Sequence, residues 1–133
     1  MKGANFTVEE EYPFGEETGK IIKVGFEIYN HLGAGFLEVV YKDAFEYEFN
    51  LREILYSREK EYLIKYKNTI LPHKFYADFV IFDKVILEIK ARVGGIVKED
   101  YAQVINYLKV SGCKIGLILN FNKEKLEIKR VIN

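Results

Sequence analysis

The sequence predicts an α/β domain in which two helices precede a run of strands, and three observations carry that reading. Apolar residues recur at three- and four-residue steps between Glu16 and Arg52, which is the period of amphipathic helices. After Ser57 the chain shifts to runs rich in β-branched and aromatic residues, the usual composition of strands. Helical spacing returns only from Lys98 to Ser111, ahead of two last apolar segments. The element order is therefore α-α-β-β-β-β-α-β-β.

Residues 1 to 15 are polar and acidic, contain Pro13 and Gly15 and show no sustained period, so they read as an N-terminal arm. One domain is expected over residues 16–133. Its first helix, Glu16 to His31, would carry Ile21, Ile22, Gly25, Phe26 and Tyr29 on one face, and Leu32-Gly33-Ala34-Gly35 would end it. A second helix runs from Phe36 to about Arg52, with Leu37, Val40, Tyr41, Ala44, Phe45 and Leu51 as its apolar stripe. Tyr62 to Lys67 reads as a strand, Asn68-Thr69 as a turn, and Ile70-Leu71-Pro72 as the other side of a hairpin. Phe75 to Phe82 and Val85 to Ile89 follow as two strands so close in sequence that they must be antiparallel neighbours. Gly94-Gly95 closes this section, and Gly112 stops the third helix. Ile115 to Leu119 reads as a buried strand, and Leu126 to Ile132 as an edge strand with charges interleaved.

Composition narrows the classes. With 49% hydrophobic and 15% aromatic residues in 133, the chain can bury a core of its own and is not of a disordered type. Cys113 stands alone, so the fold rests on packing without an internal disulfide, which suits a reducing, cytoplasmic setting. No apolar run is long enough to span a bilayer, and no membrane association is expected. Twenty basic and twenty acidic side chains cancel, so attraction to nucleic acid would have to come from a local patch.

The chemistry that stands out is Glu88-Ile89-Lys90. On a strand this spacing puts a carboxylate and an ammonium on the same face, about 6.6 Å apart along it. Asp78, ten residues upstream, would supply a second carboxylate if the hairpin brings it beside Glu88. Register decides this. A two-residue loop at Asp83-Lys84 would set Phe79 against Glu88 and turn Asp78 to the other side of the sheet. A three-residue loop of Phe82, Asp83 and Lys84, or a bulge in either strand, would place Asp78 across from Glu88. Asp83 tolerates the left-handed backbone that such a loop often needs. The chain contains its own control: Leu126-Glu127-Ile128-Lys129 nearly repeats Leu87-Glu88-Ile89-Lys90, and there a solvated strand face with a weak ion attraction is the commoner meaning. Around Glu88 and Asp78 the flanking residues are apolar, so the same charges need an explanation. Gln103 and Tyr107, one turn apart on the third helix, could orient a water or a phosphate, although an exposed Gln103 and a core Tyr107 are the bland alternative.

The residues also resemble a known pattern. Gly35-Phe36-Leu37-Glu38-Val39-Val40-Tyr41 has the form Gly-x-x-Glu-x-x-Tyr of the GxxExxY family, and the likeness continues through Tyr76-Ala77-Asp78, Glu88-Ile89-Lys90-Ala91, Gln103 to Tyr107 and Lys109 to Gly112. That family is similar to PD-(D/E)xK nucleases. The resemblance implies a restriction-endonuclease-like core, with a mixed central sheet flanked by helices. It further implies that Asp78 and Glu88 bind Mg2+ or Mn2+, that Lys90 positions the attacking water or steadies charge on the phosphate, and that Gln103 completes the pocket. Glu38 would be a further metal or water ligand, with Glu27 a weaker candidate. Glu38 also reads as a helix N-terminal carboxylate that favours the dipole, a role that can coexist with the first, and Tyr41 would pack or hold that carboxylate. Departures from the pattern are Tyr29 where relatives carry His, Ala34 where they carry Pro, and Asp83 where they carry Gly. His31 and His73 are isolated, and hard oxygen donors argue against zinc.

Two functions from different classes follow. One is a metal-dependent hydrolase of DNA or RNA, served by a patch of Lys60, Lys65, Lys67, Lys74 and Arg92 interleaved with Tyr62, Tyr66 and Tyr76. The other is a catalytically weak or silent module of the same fold that binds protein or nucleic acid. A homodimer is compatible with either.

Overall fold

A computed structural model describes residues 15–133. The expected arm lies outside the described residues except for Gly15, which instead opens the first helix, α1 (Gly15–Leu32). Helix α2 (Glu38–Leu51) follows, then strands β1 (Tyr56–Tyr66), β2 (Thr69–Ile81) and β3 (Val85–Lys90). Helix α3 (Lys98–Ser111) leads to β4 (Ile115–Phe121) and β5 (Leu126–Ile132). The strands form one sheet in the order β1-β2-β3-β4-β5, antiparallel throughout except for the parallel pair β3 and β4. α3 is the crossover that a parallel pair requires.

Three strands, not four, precede α3. Ile70 to Pro72 and Phe75 to Ile81 are one continuous strand, β2, and the hairpin turn is Lys67-Asn68, with Thr69 already in the strand. The reason lies at Pro72. Its missing N–H argues for a strand end, but the β1–β2 register slips between Leu63 and Lys65, and this irregularity leaves Pro72 without a ladder position to fill.

The helices divide between the two faces. Against α1 and α2 pack Phe79, Ile81, Val85, Leu87, Ile89, Leu117, Leu119 and Phe121; against α3 pack Ala77, Val80, Ile86 and Ile118. β3 and β4 are thus covered on both sides, as their unbroken apolar runs require. The buried stripe of α1 is Thr18, Ile21, Val24, Gly25 and Ile28, with Phe26 exposed, so it is turned from the expected face. Gly25 allows the close approach: a Cβ there would come within 3.1 Å of both Leu119 and Leu126. In α2 the core residues are Tyr41, Phe45 and Phe49 at successive four-residue steps, while Leu37 and Leu51 at its ends are exposed. Phe45 meets Phe49, Phe79 and Phe121 with ring centroids 5.6, 6.3 and 6.0 Å away.

The long β1–β2 hairpin turns over as it leaves the core. Phe79 and Ile81 face α1 and α2, yet Phe75 and Ala77, of the same parity, pack on the α3 side. β2 therefore changes face at Asp78. β1 does so opposite it: Tyr56 packs on the α2 side, Tyr62 on the α3 side, and Glu59 between them has a left-handed φ of 54°. Replacing Phe45 with Ala is expected to cost about 3–5 kcal/mol, because it empties the centre of this aromatic cluster; urea unfolding measures it, and a loss below about 1 kcal/mol contradicts the packing described.

Candidate metal centre at the sheet fork

β2 and β3 pair through Ile81↔Val85, Val80↔Ile86 and Phe79↔Leu87. The connection is the three-residue loop Phe82-Asp83-Lys84, in which Lys84 N donates to Ile81 O at 3.0 Å and both Phe82 and Asp83 are left-handed, at φ 59° and 56°. Asp83 suits that conformation; Phe82 does not, and the loop holds it there. The odd length sets Asp78 opposite Glu88.

At that point the backbone ladder stops and side chains continue it. Asp78 N donates to Glu88 Oε1 at 3.0 Å, and Ile89 N donates to Asp78 Oδ2 at 2.9 Å. Each carboxylate thus satisfies an amide of the other strand where the two strands part. Asp78 and Glu88 are 6% and 3% exposed, so two carboxyl groups share one sheltered place. Burial, reinforced by the Asp78 charge, raises the Glu88 carboxyl from 4.5 to about 8. Lys90, on the same face of β3, donates from Nζ to Gln103 Oε1 at 3.3 Å and lies 3.8 Å from Asp100 Oδ1.

A family profile described as the PD-(D/E)XK nuclease superfamily matches residues 15–131. The chain belongs to the PD-(D/E)XK nuclease superfamily. Among solved structures, the PD-(D/E)XK chain is similar to the one titled "Crystal structure of SSO0001". The TM-score is 0.58 and the identity 18%, over 72% of this chain and 48% of that chain. At this identity the likeness concerns fold alone, and the aligned part spans about half of that neighbour's length. No curated protein matches the chain.

The superfamily implies a divalent cation, and the donor set fits one. Asp78 and Glu88 offer hard oxygen donors side by side, in a place with more negative charge than burial favours. Among the described residues no group of three or more His, Cys, Asp and Glu converges as a ready-made cage. Magnesium does not need one, since it keeps several waters and binds through one or two carboxylates plus phosphate oxygens.

The remaining sequence candidates distribute as follows. Gln103 is half-buried on α3 and orients Lys90. Tyr107, one turn on, is buried with its ring edge-on to Phe75; burial and the nearby Glu88 and Asp78 charges push its hydroxyl well above the ordinary range. It is both a core residue and a neighbour of the carboxylates. Glu38 is the first residue of α2, where the helix dipole favours it, and its charge acts on Arg92; no hydrogen bond among the described residues joins it to Asp78 or Glu88. Tyr41 does not hold Glu38. Its hydroxyl donates to Gly33 O at 2.6 Å and accepts from Phe36 N at 3.3 Å, and its ring stacks on Phe121 at 4.1 Å, so it fastens the glycine loop to the sheet. Glu27 lies 3.6 Å from His31 on an exposed part of α1, beside a cavity also lined by Tyr47 and Glu48. Glu127 is not simply solvated. It is half-buried and accepts from Asn120 Nδ2 at 2.6 Å and Asn122 Nδ2 at 3.1 Å. The contrast with Lys129 holds only in that Lys129 is exposed.

Four residues escaped the sequence reading. Lys42 of α2 reaches Asp78 Oδ1 at 2.9 Å and Glu59 Oε2 at 3.3 Å. Its position four residues after Glu38 was the available signal, since it shares that face of the helix. Glu59 gave none, because its approach depends on the left-handed turnover of β1. Asn120, fully buried, extends β3 beyond its last paired residue: it accepts from Arg92 N at 2.7 Å and donates to Arg92 O at 2.9 Å. Asp100 is buried; burial works to raise its carboxyl, but the Arg92 guanidinium and the Val97 N–H together hold it below the ordinary range.

A raised Glu88 carboxyl means that the folded chain binds its proton more tightly than the unfolded chain does. Its stabilising contribution is then present at low pH and lost as pH climbs from 4.5 towards about 8. In metal-free protein the melting temperature of wild type is expected to fall relative to Glu88→Gln across that window. Parallel melting curves for the two proteins contradict the assignment.

Proposed function

We propose that this PD-(D/E)XK chain is a metal-dependent phosphodiester hydrolase of DNA or RNA. The reading rests on one observation above the others: Asp78 and Glu88 meet across the fork, with Lys90 held on the same side by Gln103 and Asp100. The motif spacing supports placement within the GxxExxY group of the superfamily.

Asp78 and Glu88 would hold the cation, Mg2+ or Mn2+, which supplies charge neutralisation at the phosphate and lowers the pKa of a bound water. Lys90 presents its ammonium at a fixed point beside the carboxylates, where it attracts a phosphate oxygen and opposes the charge that builds up on it. Gln103 accepts a hydrogen bond from that ammonium and keeps it from collapsing onto the carboxylates. Tyr107 is buried near the carboxylates, and its hydroxyl stays protonated as a donor. The β1–β2 hairpin offers a substrate surface. Lys60 lies over the Tyr62 ring and Lys67 over the Tyr66 ring, with cation-to-centroid distances of 5.9 and 5.4 Å, while Tyr76 and Lys74 both engage Glu61. The exposed rings of Tyr66 and Tyr76, the partly exposed ring of Tyr62 and the ammonium groups along an extended arm suit a sugar–phosphate backbone.

Purified protein with Mn2+ is expected to cleave at least one of single-stranded, double-stranded or structured nucleic acid. Asp78→Asn should abolish cleavage while the protein still folds, as circular dichroism reads it, and Lys90→Met should lower kcat by roughly 10²–10³-fold, the usual effect of removing one charge-stabilising donor. Absence of cleavage on every substrate class leaves the silent binding module as the function.

A further inference from the structure

Lys42 lies outside the residues of the Glu-x-Lys strand and its hairpin, yet its side chain ends at them. Its side chain is 17% exposed, and its ammonium lies between two carboxylates from neighbouring strands, 2.9 Å from Asp78 and 3.3 Å from Glu59. Glu59 stands opposite Asp78 in the β1–β2 register, between Arg58↔Phe79 and Lys60↔Ala77, and Asp78 stands opposite Glu88 on its other side. Three acidic residues thus occupy one line across three strands, and only the first two share a lysine. Glu59 reaches it through a left-handed φ of 54° in the middle of a strand, a conformation that costs a non-glycine residue about 1–2 kcal/mol and persists only where the surroundings impose it.

We infer that Lys42 is an internal counter-cation that competes with the divalent metal for Asp78, and that Glu59 is the acceptor to which its ammonium passes when the metal binds. The inference rests on the assignment of Asp78 as a metal ligand. Two cations at contact distance on one carboxylate repel each other, so a divalent cation arriving at Asp78 weakens the hold of that carboxylate on the ammonium. Glu59 already bonds it, and a small rotation of a flexible four-carbon stem transfers it fully without breaking both contacts at once. Before the metal arrives, the same ammonium balances the Asp78 carboxylate at the fork.

Calorimetric titration with Mn2+ at neutral pH tests this on the full chain. Lys42→Met is expected to bind Mn2+ at least about tenfold more tightly than wild type, since the competitor is gone. Glu59→Gln should weaken binding several-fold in wild type, and that loss should shrink to less than half of itself in the Lys42→Met background. Unchanged or weaker binding by Lys42→Met overturns the inference, and so does an equal Glu59→Gln effect in both backgrounds. If no variant binds Mn2+, the metal centre and the inference fail together; if binding follows the expected pattern while no nucleic acid is cleaved, only the hydrolytic reading fails. Should Lys42→Met not fold, the Lys42 ammonium signal in the NMR spectrum of wild type decides. It should shift on adding Mg2+ in wild type and not in Asp78→Asn, and a signal that Mg2+ leaves in place overturns the transfer.

Discussion

Two buried carboxylates, each hydrogen-bonded to a backbone amide of the opposite strand, hold the sheet together where its ladder ends. Asp78 takes Ile89 N and Glu88 takes Asp78 N, so the parting of β2 from β3 leaves neither amide unsatisfied. The cost is electrostatic, because both acids must lie side by side out of water. A shared proton, the Lys42 ammonium or a divalent cation each relieves that cost. The sheet fork and the candidate chemistry therefore draw on the same pair.

Around this pair the chain builds support from both faces of the sheet. β2 turns over at Asp78, which opens that residue to α2 on one side and to Glu88, beneath α3, on the other. α2 brings Lys42 through a helix anchored by Tyr41, Phe45 and Phe49; α3 brings Gln103 through a helix anchored by Val104, Tyr107 and Leu108. Beyond Lys90, Asn120 and Asp100 tie down Arg92 so that β3 leaves the sheet in a fixed direction. Neutral net charge is compatible with a local basic surface, since Lys60, Lys65, Lys67 and Lys74 are exposed on the β1–β2 hairpin while Asp78 and Glu88 lie buried at the fork.

What the sequence determined by itself was local. Helices α1, α2 and α3, the buried strands β3 and β4, the edge strand β5 and the shared strand face of Glu88 and Lys90 all follow from periodicity and spacing that a few consecutive residues carry. Even there, the buried stripe of α1 was set by how the helix lies on Leu119 and Leu126, and Pro72 suggested a strand end that the bulge beside it removed. Tertiary structure decided what local pattern cannot hold. Whether Asp78 faces Glu88 depended on two left-handed residues in a three-residue loop, since a shift of one residue sends a strand side chain to the other face. Lys42, Glu59 and Asn120 entered the site from elements remote in sequence, and their approach depends on strand turnover and helix packing, which emerge only when the whole sheet is assembled.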